Sequence, residues 1–538
     1  MFNASRHPLF DRRALLRGAV AAGLIVPGLP LIRAAPARAD GDKSPFTLGV
    51  ASGDPASDGF VLWTRLAPEP LDPRGGLSVQ PVEVTWQIAD DPAMRNLVRT
   101  GTALARIELA HSVHVEVEGL APGRDYFYRF RTGDAESAIG RARTLPAPGA
   151  DISELRFAAA GCQAFESGYY TAWRHLAAEN FDFVFHYGDY IYEHGFVTAD
   201  RTGRTLPRLM PKDFTACVTL TDYRRRYALY KTDPDLQAAH LSCPFLPSFD
   251  DHEVADNWAA DTDSRDTPAE AFLFRRAAAF QAWYEHMPVR RALLPRGPDV
   301  LAYRRFRVGS LLDVAVLDTR QYRSKQPCGD GIKANCAAAD EPSRTMMGAR
   351  QEAWFAEGLR AAQAAGPATW QVMAQQVLFA HLDWRSYPWL KPSEAPLVNL
   401  DAWDGASAAR ERLLHTLHEA KVANAVVLTG DMHRGVALDL HLDWRDPKSP
   451  CVGVELLATS ISSGGDGVAV MSNAEALHAN NPHLRFISDQ RGYHRHSVTR
   501  GRWQTDFRVV AQISQPDQPV ATAKSFVMEA GKPGLVAA

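Results

Sequence analysis

Six apolar runs between Leu155 and Asp431 constrain this chain more than anything else in it. They are LRFAAAG, FDFVFHYGD, FLPSFDDHE, LLDVAVLDT, WQVMAQQVLF and NAVVLTGD. Each is short and bounded by turn-forming residues, which is how buried strands read. Helical stretches fall between them, and strand–helix alternation predicts a layered α/β domain. One helix carries a start signal. Thr267-Pro268-Ala269-Glu270 reads as a capping box with proline in the first turn, leading a helix to about Met287. The tail WQTDFRVVAQI after Arg502 reads as one more strand, at an edge of the main sandwich.

Several of these strands deliver an acidic, His or Cys residue where the strand gives way to a turn. In chain order these are Cys162, then Asp189 with Tyr192, then Asp250-Asp251-His252-Glu253, then Asp431 with His433. Strands ending at one edge of a sheet bring such residues together. Like charges held close raise one another's pKa, and a bound cation removes that cost. Singly, each motif has a bland reading: a Gly-Asp turn, a solvated acidic loop, a capped turn with a satisfied His, a structural buried thiol. Together they predict a metal centre. Asp431 and His433 are two residues apart, which in an extended strand directs both side chains to one side. Phenolate and thiolate are strong donors that favour ferric iron, whereas carboxylates suit hard cations.

Phe46 to about Thr144 reads differently. FVLWTRL, VEVTWQI, HSVHVEVEGL and DYFYRFRT are β-branched and aromatic, with Gly, Pro and Asp between them. The turn Gly119 to Tyr126 resembles one in fibronectin type III-like domains, and about 100 residues suit such a sandwich. LPAPGAD then reads as a linker. The expected organisation is a leader over 1–39, an N-terminal β-sandwich over 40–146 and a larger domain over 151–538.

In the leader, Arg12-Arg13 precedes an uncharged run from Gly18 to Ile32 and the cleavage-like Ala37-Arg38-Ala39. That run is shorter than the ~20 residues a membrane span needs. Pro27 and Pro30 interrupt it, so export fits better than an uncleaved anchor. The paired arginines look like a twin-arginine signal, which names the export machinery of that route as a partner and a periplasmic or extracellular destination. Removing the leader takes away six basic residues and one acidic residue, leaving 53 basic and 61 acidic. Such a balance leaves no footprint for stable nucleic-acid binding, and no membrane span is expected in the mature protein. Among the six cysteines, Cys328 and Cys336 bracket a Gly-rich loop and form the best disulfide candidate. Cys217 with Cys243 is a weaker one, and Cys451 has no evident partner.

The order of ligand motifs resembles the calcineurin-like metallophosphatase superfamily. The Asp189–Tyr192 spacing is similar to purple acid phosphatases. Cysteine at the end of the first strand and Asp431-Met432-His433 depart from those relatives and resemble the PhoD-type alkaline phosphatases and phosphodiesterases. So do SGDPASDGFVLWTRL, FDDHEVADNW, LDTRQYR and ATSISSGG, which spread the resemblance over nearly the whole chain. The resemblance implies a four-layer metallophosphatase β-sandwich flanked by helices, preceded by a small all-β fibronectin III-like domain. It further implies one Fe(3+) held by Cys162, Asp189, Tyr192 and His433, with Ca(2+) taking Asp189 as bridge together with Asp251 and Asp431. The superfamily's Val-x-x-His motif stands here as Val372-Met373-Ala374-Gln375. Gln375 is the expected calcium ligand there, with Gln376 as the alternative. Arg320 and Arg434 are candidates for the substrate phosphate. Arg320 alternatively pairs with Asp318.

The expected reaction is hydrolysis of small-molecule phosphate monoesters or diesters by a metal-activated hydroxide, with Asp189 holding the metals and His252 assisting the leaving group. No Gly-x-Ser-x-Gly nucleophile motif is present. The rivals are a phosphodiesterase directed at phospholipid headgroups or nucleotides and, from another class, a secreted calcium-binding adhesion or carbohydrate-binding protein. The last leaves Cys162 and Tyr192 unexplained.

Overall fold

The computed structural model describes residues 44–387, 390–446 and 448–538, so the expected leader lies outside the described residues. All six apolar runs form strands: Leu155–Ala160, Phe183–His186, Phe245–Pro247, Leu312–Val316, Trp370–Ala374 and Ala425–Thr429. The first three are parallel neighbours in a ten-stranded sheet. The last three are parallel neighbours in a seven-stranded sheet.

The strand period of two sorts their side chains into layers. Phe157, Phe183, Phe185, Val314, Val372, Val426 and Leu428 fill one core between the two sheets. The intervening Ala158, Ala160 and Val184 pack with the helices Thr171–Ala177, Leu220–Lys231, Pro234–Ser242 and Ala269–His286. On the far side, Ala315, Met373 and Val427 pack with the helices Gly348–Ala364 and Ser407–Glu419. The result is helix, sheet, sheet, helix. In each sheet the parallel strands run the same way, so their carboxyl ends share an edge, the usual place for ligands in α/β sheets.

The N-terminal strands divide between two sheets. Val50–Ala56, Gly59–Arg65 and Ser112–Val117 extend the ten-stranded sheet, with Gly53 paired in parallel to Phe245. Leu97–Ala105, Val82–Ala89 and Asp125–Thr132 lie side by side in a separate five-stranded sheet, with Leu97–Ala105 at its edge. Phe60, Leu62, Val84, Ile88, Tyr128 and Phe130 are buried between these layers. The all-β region is therefore a sandwich that borrows one layer from the main sheet.

Two local expectations are corrected. Arg502–Val510 is not an edge strand: it lies between Gly492–Val498 and Val520–Glu529, and the edge is Lys532–Ala537. Lys532 and Pro533 stand on that edge, where neither disturbs a central ladder. At the helix Ala269–His286, Thr267 spends its hydroxyl on Asp263 at 2.8 Å and caps nothing. A capping box does form at Thr219 with Asp222. Cys328 and Cys336 are disulfide-bonded, while Cys217 and Cys243 are free. Among the described residues no helix is long and apolar enough to cross a membrane.

Candidate metal centre

The strand ends are drawn together by tight turns. Cys162, Asp189, Asp431 and His433 all have positive φ, at 51°, 54°, 66° and 57°. Each costs about 1–3 kcal/mol for a residue with a Cβ, and such strain concentrates where surrounding structure imposes it for function. The Cys162 amide donates to the Gly188 carbonyl at 3.0 Å, and the Gln163 amide to the Asp189 carbonyl at 3.0 Å. Gly188 has φ +132°, and a Cβ there would lie 2.4 Å from Asp250 Cβ. A Cβ on Gly430 would lie 2.1 Å from the Tyr187 ring, so that strand end also needs glycine to close in.

Two groups of donors result. In the first, ligand atoms of Cys162, Asp189 and His433 all lie within 4.8 Å of one another. The Tyr192 hydroxyl donates to Asp189 Oδ2 at 2.8 Å and lies 2.9 Å from His433 Nε2. In the second, carboxylate oxygens of Asp250, Asp251 and Asp431 lie within 4.8 Å of one another. Asp189 also groups with Asp251 and His252, which puts it between the two sets.

Burial pushes the Cys162 thiol and the Tyr192 phenol well up, with Asp189 adding to both. Burial likewise pushes Asp189 and Asp431 well up, with Asp250 and Asp251 adding to both. Burial holds His433 well down. Such a set cannot all ionise without added positive charge. Asp250 Oδ2 and Asp251 Oδ1 are buried with no hydrogen-bond partner among the described residues, which is costly unless a ligand completes them. A thiol, phenol, imidazole and carboxylate on one side and carboxylates on the other fit two cations of different character.

His252 stands beside this centre. Its Nδ1 lies 2.7 Å from Glu193 Oε2, its ring packs on Tyr192 with centroids 4.1 Å apart, and its Nε2 is 3.9 Å from Asp251 and Asp256. Burial works against its charge, but Asp251, Glu193 and Asp189 outweigh burial and raise its pKa well above the ordinary value. Above Tyr192, His252 and His433 opens a cleft of about 840 Å³, walled by residues 194–197, 199–202 and 204–207 and by Ser463 to Asp466.

Four expected residues already have protein partners. Arg320 is fully buried beneath the centre and faces no cleft. Its Nε meets Asp250 at 2.5 Å, Nη1 meets Asp401 at 2.9 Å and Nη2 meets Asp431 at 3.1 Å. Only its backbone amide reaches Asp318, at 3.0 Å. Arg434 lies over the Tyr387 ring, 4.9 Å from its centroid, and donates to the Met432 carbonyl at 3.0 Å. The Gln375 oxygen already accepts from the Val377 amide at 3.2 Å and Trp403 Nε1 at 3.3 Å, which occupies both lone pairs. Gln376 accepts from the Thr319 amide and hydroxyl at 3.0 and 2.6 Å. Both amides are spent on holding turns.

Other residues of the site carried no assignment in the sequence reading. Glu253 accepts from the amides of Asp189, Tyr190 and Asp250 at 3.0, 2.5 and 2.8 Å, tying two strand ends together. Ser463 Oγ lies 2.6 Å from Tyr192 Oη and 2.7 Å from the Cys162 carbonyl oxygen. Both stand inside stretches that carry the family resemblance, FDDHEVADNW and ATSISSGG.

Facing sheets whose strand ends assemble carboxylates, thiol, phenol and imidazole beside an open cleft define a hydrolase with a candidate metal centre, of the class that cleaves phosphoesters. The description "PhoD-like phosphatase" matches residues 157–507, and "PhoD-like phosphatase, N-terminal domain" matches residues 33–146. This chain belongs to the PhoD-like phosphatase family and is a hydrolase of phosphoric ester bonds. It is 43% identical over 537 residues to alkaline phosphatase D of Bacillus subtilis (strain 168), covering 98% of this chain and 89% of that one. A solved structure described as that of PhoD is 44% identical, covers 93% of each chain and superposes with a TM-score of 0.87.

Proposed function

We propose that the chain is an exported phosphoesterase that cleaves monoesters or diesters at a paired site for ferric iron and calcium. The observation that carries this reading is the meeting of Cys162, Asp189 and His433 within 4.8 Å, next to Asp250, Asp251 and Asp431. Iron would be held by Cys162, Asp189, Tyr192 and His433. Calcium would be held by Asp189, Asp251 and Asp431, and the oxygens of Asp250 and Asp251 that carry no hydrogen bond support an oxygen-bound cation there. When bound, these cations supply positive charge to the phosphoryl oxygens and lower the pKa of water from about 16 toward 7.

The chain's own side chains do the rest. Glu193 fixes His252 through Nδ1 and leaves Nε2 to protonate the leaving alkoxide. Arg320 neutralises the carboxylates from beneath, so they can face the cations without moving. The twin-arginine leader supports export to the periplasm or beyond, with residues 40–146 as an N-terminal module and 151–538 as the catalytic one. Elemental analysis of protein from its native host, paired with Asp189→Asn, tests the whole reading. Iron and calcium in the wild type, and loss of both metals and turnover in the variant, are expected. A metal-replete, active Asp189→Asn protein would overturn it.

A further inference from the structure

A phosphoester carries negative charge that needs a partner on the open side of the cleft, and the arginines beneath are already engaged. Arg320 is consumed by Asp250, Asp401 and Asp431. Arg491 donates to the Gly465 and His433 carbonyls and to Asp489. Two arginines line the cleft itself, Arg201 and Arg204, both exposed and both on a short hairpin. Ala199 pairs with Thr205 across that hairpin, and the Asp200 amide donates to the Arg204 carbonyl at 2.9 Å. Asp200 Oδ1 accepts from the Thr202 and Arg204 amides at 2.9 and 3.0 Å, which fixes the tip.

The two arginines have different tasks. Arg204 Nε lies 3.2 Å from Asp200, and its guanidinium lies where a Cβ on Gly465 would collide with it. It lies against Gly465, in the turn that follows Ser463. Arg201 has no hydrogen bond or ion pair among the described residues, and it lines the same cleft as Tyr192, His252 and His433. A guanidinium held on an ordered tip with no protein anion to meet is suited to an anion from solution.

We propose that Arg201 is a specificity residue, binding the additional negative charge that a phosphate monoester dianion carries and a diester monoanion lacks. This rests on the phosphoesterase reading and names the substrate class that the cleft favours. A monoester loses its second proton near pH 6, so at mildly alkaline pH the two ester types differ by one charge at the same phosphorus.

The test compares wild type, Arg201→Gln and Arg201→Lys on p-nitrophenyl phosphate and bis(p-nitrophenyl) phosphate, with inorganic phosphate as competitive inhibitor. For Arg201→Gln we expect KM for the monoester and the inhibition constant for phosphate to rise about tenfold, with diester KM changing less than about threefold. Arg201→Lys should recover part of the loss. The gap should narrow at about 1 M salt, where the screening length falls to roughly 3 Å. Equal losses on both esters, or no loss on the monoester and no change in phosphate inhibition, would overturn the assignment. Wild-type turnover of either ester upholds the phosphoesterase reading whatever Arg201 does, so the two ideas fail separately.

Discussion

Tyr192 Oη lies 2.9 Å from His433 Nε2, although 241 residues separate them in the chain. The same hydroxyl donates to Asp189 at 2.8 Å, so three groups from two strand ends point at one location. Tyr192→Phe keeps the ring that packs on His252 and removes only the oxygen. We expect iron affinity to fall at least about 100-fold, with loss of visible absorption from a ferric phenolate, while the fold is kept. Absorption spectra and iron content on matched samples check this; an unchanged spectrum with full iron would remove Tyr192 from the ligand set.

Arg320 carries a second prediction. Its guanidinium is fully buried and serves Asp250, Asp401 and Asp431 at once. Removing one partner of a buried charge network costs about 3–5 kcal/mol because the others remain uncompensated. Arg320→Met should lower stability by that amount in metal-free protein and abolish activity. Arg320→Lys should rescue little, because an ammonium cannot form the three-way planar fork. Denaturant midpoints on metal-stripped samples provide the measurement. A Lys variant of wild-type stability would show that charge alone suffices.

Much of this arrangement was legible before any coordinates. The unbroken apolar runs Phe157-Ala158-Ala159-Ala160 and Val426-Val427-Leu428 mark strands buried on both faces, and the candidate ligands stand where those strands stop. The destination of Arg320 was not legible, since LDTRQYR places it beside Asp318 in sequence while its partners come from three other segments. At Gln375 the oxygen type suits calcium, while the donors that reach it, the Val377 amide and Trp403 Nε1, come from folding that the local motif does not encode. Sheet membership of Val50–Ala56 depended on a parallel pairing to Phe245, nearly two hundred residues away, which local patterning does not encode. The edge position assigned to Arg502–Val510 failed because the two strands after it are weakly apolar and carry Lys, Gly and Pro.

A third prediction concerns acid stability away from the metal centre. Asp404 Oδ1 lies 2.6 Å from Arg410 Nη1 and 3.0 Å from His381 Nδ1. Burial pushes the Asp404 carboxyl up, but the charges of His381 and Arg410 outweigh it and hold its pKa below the ordinary value. A folded pKa below the unfolded one means the unfolded chain takes up the proton first. The stabilisation is therefore complete above the unfolded value of about 3.9 and is lost as pH falls through the lower folded value. Asp404→Asn should be less stable at neutral pH by about 3–5 kcal/mol, because Arg410 stays buried without its anion. It should also lose less stability than wild type on acidification below about pH 4. Unfolding midpoints across pH test the sign; parallel curves for the two proteins would exclude this pair as a source of acid sensitivity.

Gly188→Ala should separate assembly of the centre from stability of the fold. The residue sits at φ +132°, and an added Cβ would meet Asp250 Cβ at 2.4 Å and the Asp250 amide nitrogen at 2.5 Å. Its carbonyl also receives the Cys162 amide at 3.0 Å, so any shift moves three ligand-bearing turns together. A displacement of about 1 Å at a reacting centre costs about 100-fold in rate, because the reacting groups must be held in near-attack geometry. Gly501→Ala is the matched control, since a Cβ there meets nothing within 4 Å and φ is outside the left-handed region. The expected outcome is a Gly188→Ala protein with depleted metal and turnover down at least about 100-fold, beside a Gly501→Ala protein indistinguishable from wild type. Full metal content in Gly188→Ala would mean that the turn yields without disturbing Asp189 and Asp250, and that their close approach is not what builds the site.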